Sequence, residues 1–239
     1  MVRMSVPGYY RLARSENLIR PLGSYIITQM DILYTFIEEY CKDNNIDPSH
    51  DVTHSKDCVN FLRRIMNPFF TEEEVKMGIY AAALHDCVDR KYVDEVIASL
   101  TIRQFLDSIG WDEGHIDSLL NMITTMSYSK LKAQKIGTTC VYPEHGRWQR
   151  VYHTVRQADL LCSFRVHRCY QYQLRIHPDW TEEQHWKRVR EMFNERIFRY
   201  VEDGWFESRN ALSLIPELTE QAKKDLEVCN AEAPPGYGC

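Results

Sequence analysis

Histidine and aspartate residues recur at three places in the chain where they could bind a metal ion together. His54 lies near the start of a predicted helix, and the pair His85 and Asp86 follows an apolar run. Asp159 lies among apolar residues of a later predicted helix, where an unpaired carboxylate would be costly unless it met a cation or hydrogen-bond donors. One divalent ion bound by these four side chains meets that need. Imidazole nitrogen with carboxylate oxygen suits Mn, Fe, Ni, Co, Zn or Mg, with positions left open for water.

Helices with one apolar face would position these side chains. Apolar residues recur at helical spacing, and capping residues, glycines and prolines separate the segments. The first predicted helix begins near Ile26 and ends before Asp43. Further helices are predicted over residues 51–66, 71–86, 92–109, 113–127, 151–164 and 181–203, and a last one follows Pro216. Periodicity fails from Ser129 to Trp148, which predicts a long loop. No strand pattern longer than a few residues is present, so the sequence predicts an all-α fold.

Composition excludes several classes of protein. The chain has 239 residues, of which 44% are hydrophobic and 26% charged, which is typical of an ordinary globular protein. Its net charge of −5 argues against nucleic acid as a partner, and no apolar stretch is long enough to predict a membrane span. The start of the sequence has no secretory signal pattern, and the eight cysteines form no C-x-x-C pair. We therefore expect a cytoplasmic protein with reduced thiols.

Four segments carry a more specific pattern around the candidate ligands. They are Ser49–His54 (SHDVTH), Ala82–Lys91 (AALHDCVDRK), Met126–Lys130 (MSYSK) and Gln157–Leu161 (QADLL). Their order, H…HD…D, resembles that of the HD-domain metal-dependent phosphohydrolases, in the branch that includes nucleotide pyrophosphohydrolases. The resemblance covers residues 24–175 and implies an HD-type helical bundle. It leaves an N-terminal arm (1–23), a C-terminal helical extension packed on the domain (176–230) and a tail predicted to be disordered (231–239).

The chain departs from that branch next to the ligands. Asp57 replaces a basic residue and Cys58 a valine, whereas Gln157, Leu160 and Cys162 replace an acidic, a basic and an acidic residue. All four ligands are retained. The changes fall on residues that surround the ligands, which tune metal affinity and substrate fit.

The resemblance also implies roles for residues beside the ligands. Asp89, three residues after Asp86, corresponds to a general acid/base, and Lys91 would neutralise phosphate charge during catalysis and binding. Lys130 is a further candidate for substrate binding from the loop side. His50, one turn before His54, would contact phosphate or support a ligand.

The function that follows is hydrolysis of a nucleotide by a metal-activated water, with nucleoside triphosphates favoured as substrates. A nucleoside monophosphate 5′-phosphatase or a cyclic-nucleotide phosphodiesterase is the alternative within the same chemistry. A non-enzymatic metal- or nucleotide-binding sensor is the alternative from another class. An oxygenase with a second metal would need extra ligands. His145 and His153 are available, but their spacing in the sequence does not predict that they join the other ligands. The expected partner is a small nucleotide or phosphoester, and a homo-oligomer stays open.

The segment 181–203 is rich in arginine but also in glutamate. Arg188, Arg190, Arg196 and Arg199 are interspersed with Glu182, Glu183, Glu191 and Glu195. Alternating charge of this kind predicts a salt-bridged, solvent-exposed helix face rather than a nucleic-acid-binding stripe.

Overall fold

The computed structural model describes residues 22–136 and 139–231, and this part of the chain is all-α, as predicted. Short 3-10 turns lie between some of the helices, and an isolated antiparallel bridge joins Ile136 to Thr139. The helices are α1 (Leu22–Asp43), α2 (Val52–Ile65), α3 (Glu72–Leu84), α4 (Glu95–Ser108), α5 (Glu113–Thr125), α6 (Tyr128–Ala133), α7 (Gln149–Cys162), α8 (Val166–Ile176), α9 (Glu182–Glu195) and α10 (Arg209–Ala231).

Helices α2, α3 and α7 pack against one another at the centre of the molecule. Each presents fully buried apolar side chains to the other two, such as Leu62 from α2, Leu84 from α3 and Leu161 from α7. Gly78 of α3 allows the close approach, because a Cβ atom there would lie 3.3 Å from Leu62 Cδ2 and 3.5 Å from Val151 Cγ1. Burial of this apolar surface is the main force that holds the three helices together.

Capping interactions fix where two of the central helices begin. The Asp51 carboxylate accepts hydrogen bonds from the backbone N–H of Thr53 and of His54, so α2 starts with His54 in its first turn. Thr71 and Glu74 form the predicted capping box at the start of α3. Local capping residues in the sequence therefore determine where α2 and α3 begin.

Helix α3 tightens into a 3-10 turn over His85–Val88. This change of winding comes at the predicted histidine–aspartate pair, and both side chains reach the first turn of α2: His85 Nε2 and Asp86 Oδ2 lie 3.3 Å and 3.1 Å from His54 Nε2. A short helix end thus presents two ligands where the other two central helices converge.

The C-terminal helices pack on this core. Helix α9 packs on α8, and α10 contacts α2, α7 and α8. The buried side chain of Gln157 on α7 makes the attachment specific: its Oε1 accepts hydrogen bonds from the backbone N–H of Glu207 (2.8 Å) and Ser208 (2.9 Å). Ser208 in turn caps α10, with its carbonyl accepting from Leu212 N–H.

Three predictions about secondary structure are wrong in part. The predicted loop over 129–148 contains most of α6, which Ser127 caps, and a 3-10 turn over Gly146–Trp148. The last helix begins at Arg209, before Pro216 rather than after it, and continues through that proline. The predicted helix 181–203 ends at Glu195, and α8 has no counterpart among the predicted helices.

The proposed N-terminal arm and C-terminal tail lie almost wholly outside the described residues, although residues 22 and 23 belong to α1 and residue 231 to α10. None of the helices in the described ranges is long and apolar enough to cross a membrane. Six cysteines in those ranges are free thiols. The boundaries between the predicted domain and its extension remain predictions.

Replacing Gln157 by leucine should destabilise the fold by about 1–3 kcal/mol, because the N–H groups of Glu207 and Ser208 lose their acceptor. Urea denaturation followed by circular dichroism measures the change in the free energy of unfolding. The Gln221→Leu variant is the control, since that side chain is exposed on α10 and bonds only to Asp225. Equal stabilities of the two variants would contradict the conclusion that Gln157 attaches the start of α10 to α7.

Candidate metal centre

The four predicted ligands come together where the central helices meet. His54 extends from the first turn of α2, His85 and Asp86 from the 3-10 turn after α3, and Asp159 from the last turn of α7. His54 and His85 are buried, and the side chains of Asp86 and Asp159 are 13% and 19% exposed. The ligands are therefore held by well-packed helices, with one side open to solvent.

The distances between the ligand atoms match those around one metal ion. His54 Nε2 lies 3.3 Å from His85 Nε2, 3.1 Å from Asp86 Oδ2 and 3.4 Å from Asp159 Oδ1. His85 Nε2 lies 3.3 Å from Asp86 Oδ1 and 3.5 Å from Asp159 Oδ1. Metal–ligand bonds of about 2.1 Å separate neighbouring ligands by about 3.0 Å in an octahedron and about 3.4 Å in a tetrahedron. Both geometries are compatible with these spacings.

Two further observations fit a cation at this point. Asp86 Oδ2 is buried and accepts no hydrogen bond of good geometry among the described residues, although His54 Nε2 lies 3.1 Å away; this is costly for a carboxylate oxygen unless a cation lies beside it. His85 Nδ1 donates a hydrogen bond to the Ala82 carbonyl at 2.9 Å. With the proton of the neutral ring on Nδ1, Nε2 keeps a free lone pair and faces the other three side chains, as a metal ligand must.

The electrostatics of the cluster also favour added positive charge. Burial and the Arg168 guanidinium lower the pKa of His54, but the neighbouring carboxylates of Asp159 and Asp86 outweigh both and raise it well above the usual value. Burial lowers the pKa of His85, and the charges of Asp86 and Asp159 outweigh this effect and raise it. Burial raises the pKa values of the two carboxyl groups, yet the histidines hold them below the usual range. In the absence of a metal, protons on the histidines provide the positive charge that the carboxylates require.

Arg168 of α8 adds a permanent cation to the centre. Its Nε donates to the Ser49 carbonyl at 2.5 Å, and its Nη2 lies 3.1 Å from His54 Nε2 and 3.9 Å from Asp86 Oδ2. Only 18% of the side chain is exposed. Burial lowers the pKa of Arg168, but the charges of Asp159 and Asp86 raise it further than burial lowers it. A charged guanidinium thus lies beside the ligands, positioned to contact an anion bound there.

Asp89 and Lys91 lie where the sequence places them, just beyond the ligand pair. The Asp89 carboxylate accepts a hydrogen bond from Lys91 N–H at 3.0 Å, and its Oδ2 lies 3.0 Å from Lys91 Nζ. Burial lowers the pKa of Lys91, and the neighbouring Asp89 charge more than compensates. Both residues line the same cavity as Asp86 and Asp159. The pair is therefore an oriented ion pair at the open side of the centre.

His50 is anchored by a small polar network. Its Nδ1 lies 2.6 Å from Ser49 Oγ and 3.0 Å from Tyr92 Oη, and Tyr92 also donates to the buried carboxylate of Asp47. Burial lowers the pKa of His50, so its neutral form is favoured. One ligand atom each from His50, Asp86 and Asp89 lie within 4.8 Å of one another, which brings His50 to the edge of the centre.

Lys130 also lines the cavity, but its ammonium group already forms hydrogen bonds with other groups of the protein. It donates to the Glu95 carboxylate and, at 2.6 Å, to the Thr124 carbonyl. Arg90 forms a bidentate pair with the same Glu95. These contacts hold the wall of the cavity together, so Lys130 is less available to a substrate than Lys91.

Two thiols lie directly behind the ligands. Cys58 comes one turn after His54 on α2, and Cys162 one turn after Asp159 on α7. Their Sγ atoms are 3.3 Å apart, and Cys58 Sγ lies 3.4 Å from His54 Nε2. His54, Cys58, His85 and Asp159 therefore form a group that could hold a metal ion. A sulfur atom this near favours Zn, Fe or Co over Mg.

Sequence reasoning missed parts of this centre. Arg168 gives no local signal, because its approach depends on the packing of α8. Arg196 is predicted to lie on a solvent-exposed face, which is wrong, since it is partly buried and lines the cavity. Cys58 and Cys162 are both positions where the chain departs from the branch that it resembles, and those departures were the available signal.

Comparisons with known proteins identify a similar solved structure but no activity. The chain matches no protein-family model and no curated protein. It is similar to the crystal structure of a structural-genomics target from Lactobacillus plantarum, with 17% sequence identity and a TM-score of 0.62. The match covers 85% of this chain and 96% of that one. At this identity the likeness shows the fold alone.

Binding of Mn²⁺ should strengthen as the pH rises from about 6 to about 8, because the metal must displace the protons that Asp86 and Asp159 retain on His54 and His85. The apparent affinity should increase by up to about 10-fold per pH unit for each proton displaced. Isothermal titration calorimetry in buffers of different ionisation enthalpy measures both the affinity and the protons released.

The His115→Gln variant is the control, since His115 lies away from the centre and contacts Glu73 and Asp112. It should show the same pH dependence as the parent protein. An affinity that stays constant over this pH range, with no proton release, would contradict the assignment of His54 and His85 as ligands.

Proposed function

We propose that this protein is a metal-dependent phosphohydrolase that acts on a nucleotide or a related small phosphoester. The observation that carries the proposal is the approach of Asp86 and Asp159 oxygens to within 3.5 Å of the Nε2 atoms of His54 and His85, at a cavity of about 400 Å³. The HD-type sequence pattern supports the same chemistry and favours nucleoside triphosphates among nucleotides. A cavity of this volume lies within the range of small-molecule sites.

His54, His85, Asp86 and Asp159 would hold the ion. When bound there, a divalent ion lowers the pKa of a coordinated water towards about 7 and polarises a phosphoryl oxygen. The chain supplies the remaining requirements of the reaction. The helices α2, α3 and α7 fix the ligands, and burial of both histidines excludes bulk water from their side of the centre.

Three side chains at the open side would act on the substrate. Arg168 would hold a phosphoryl oxygen through its guanidinium, which Ser49 already orients by accepting from Nε. Asp89 would accept a proton from the attacking water or deliver one to the leaving group. Lys91, 3.0 Å from Asp89, would orient that carboxylate and offset phosphate charge.

Replacing Asp89 by asparagine should lower kcat by about 10²–10⁴-fold while metal content stays at one ion per chain, because the proton acceptor is lost and the ligands remain. Replacing Asp86 by asparagine should reduce both metal content and turnover. Metal-free protein is loaded with Mn, Mg, Ni, Co or Zn, and the products from nucleoside mono-, di- and triphosphates and cyclic nucleotides are separated by chromatography. Metal content is measured by mass spectrometry.

The Asp117→Asn variant is the matched control, because Asp117 is exposed and pairs with Arg103 away from the centre. It should retain full activity. Unchanged turnover in Asp86→Asn would rule out a metal-dependent mechanism at this site. Metal-dependent thermal stabilisation by a nucleotide, without turnover of any substrate in the parent protein, would favour the sensor.

A further inference from the structure

The C-terminal extension contributes a cationic side chain to the cavity of the metal centre. Arg196 follows α9 directly, and its backbone leaves the helical conformation there (φ −133°, ψ −62°). Its side chain lines the same cavity as Asp86, Asp159 and Arg168. The extension therefore completes a wall of the site rather than only packing on the domain.

Arg196 is held in place by two aromatic residues. Its Nε donates to Tyr200 Oη at 2.7 Å, and its guanidinium carbon lies 3.8 Å from the centroid of the Tyr128 ring. Tyr128 and Tyr200 also contact each other, with ring centroids 5.5 Å apart. A guanidinium fixed in this way loses little conformational entropy when it binds a ligand.

Arg196 differs from the other cations of the cavity in its charge partners. Arg90 and Lys130 pair with Glu95, Lys91 pairs with Asp89, and Arg168 lies 3.9 Å from Asp86. Within the described ranges, no carboxylate lies within ion-pair distance of Arg196, and its guanidinium contacts Tyr128 and Tyr200. Its charge therefore remains available to an anion from solution.

The charge of the whole cavity favours a substrate with several negative charges. Five cationic side chains and three carboxylates line it, and Glu95 offsets one more cation. A divalent ion adds two positive charges, so the loaded cavity has an excess of about three. A single phosphate monoester carries only about two negative charges near neutral pH. The cavity is thus matched to more than one phosphate group.

Aromatic contacts at this wall favour an anion over a nucleobase. Arg196 covers one face of Tyr128, and Trp205 lies against the same ring with centroids 4.8 Å apart. Tyr128 is the aromatic residue that lines the cavity, so its ring is already engaged. The group that this wall presents to a substrate is the guanidinium.

We propose that Arg196 binds a second phosphate group of the substrate, while the metal centre and Arg168 hold the phosphate that reacts. The substrate is then a di- or polyphosphate ester rather than a monophosphate. This inference rests on the proposed function and adds the substrate class and a specificity residue from the extension.

Inorganic phosphate, pyrophosphate and tripolyphosphate serve as probes in calorimetric titrations of the full-length protein. Free Mn²⁺ is kept in fixed excess so that chelation by the probes does not remove the metal, and metal content is measured after each titration. The parent protein should bind pyrophosphate at least about 10-fold more tightly than phosphate, as an added charge-assisted contact predicts. The Arg196→Gln variant should lose most of that preference and keep its affinity for phosphate.

Two further variants keep the outcome decisive. Arg196→Lys preserves the charge and should retain part of the preference, and Arg188→Gln, which removes an exposed arginine of α9, should match the parent protein. A pyrophosphate preference that persists in Arg196→Gln would overturn the inference and leave the proposed function intact. Failure of the metal-loaded parent protein to bind any of the three probes would instead overturn the proposed function on which the inference rests.

Discussion

The burial of two carboxylates next to two imidazoles is the constraint on which this structure depends. Asp86 and Asp159 lie at the junction of three packed helices, where water cannot solvate them as it would at the surface. Isolated charges in such an environment cost several kcal/mol each unless they are paired. His54, His85 and Arg168 supply part of the pairing, yet Asp86 Oδ2 still lacks a hydrogen-bond partner in the described structure. A divalent ion among the four ligands resolves this imbalance.

The surroundings of the four ligands follow from that constraint. Ser49 orients two side chains next to the ligands: its carbonyl accepts a hydrogen bond from Arg168, and its hydroxyl contacts His50. Behind the ligands, Cys58 and Cys162 lie against each other between α2 and α7; burial raises the pKa of the Cys162 thiol, but its contacts with Cys58 and His54 outweigh burial and lower it to about 6. The Asp89–Lys91 ion pair lies at the open side, and Arg196, which follows α9, lines another part of the same cavity. A buried cluster of ligands thus adjoins an exposed side rich in cations.

The sequence predicted those parts of the structure that depend on local patterns. The capping residues Asp51 and Thr71 mark where α2 and α3 begin, and His54, His85 and Asp159 form a group that could hold a metal ion, with Asp86 Oδ2 3.1 Å from His54 Nε2. What the sequence could not predict depends on tertiary contacts. Helix α10 begins at Arg209, directly after two residues whose N–H groups donate to Gln157, about fifty positions earlier in the chain, and it includes Pro216. Arginines such as Arg168 and Arg196 are common on helix surfaces, so only the packing distinguishes them from solvent-exposed residues.

Crystallographic detection of the ion tests the central claim most directly. Crystals of the protein loaded with Mn²⁺ would be measured near the manganese absorption edge, where anomalous scattering locates the metal. The account predicts one strong peak about 2.1 Å from His54 Nε2 and His85 Nε2 and from one oxygen each of Asp86 and Asp159. An empty cluster in metal-loaded crystals, with the carboxylates paired only to Arg168 and to protonated histidines, would contradict it.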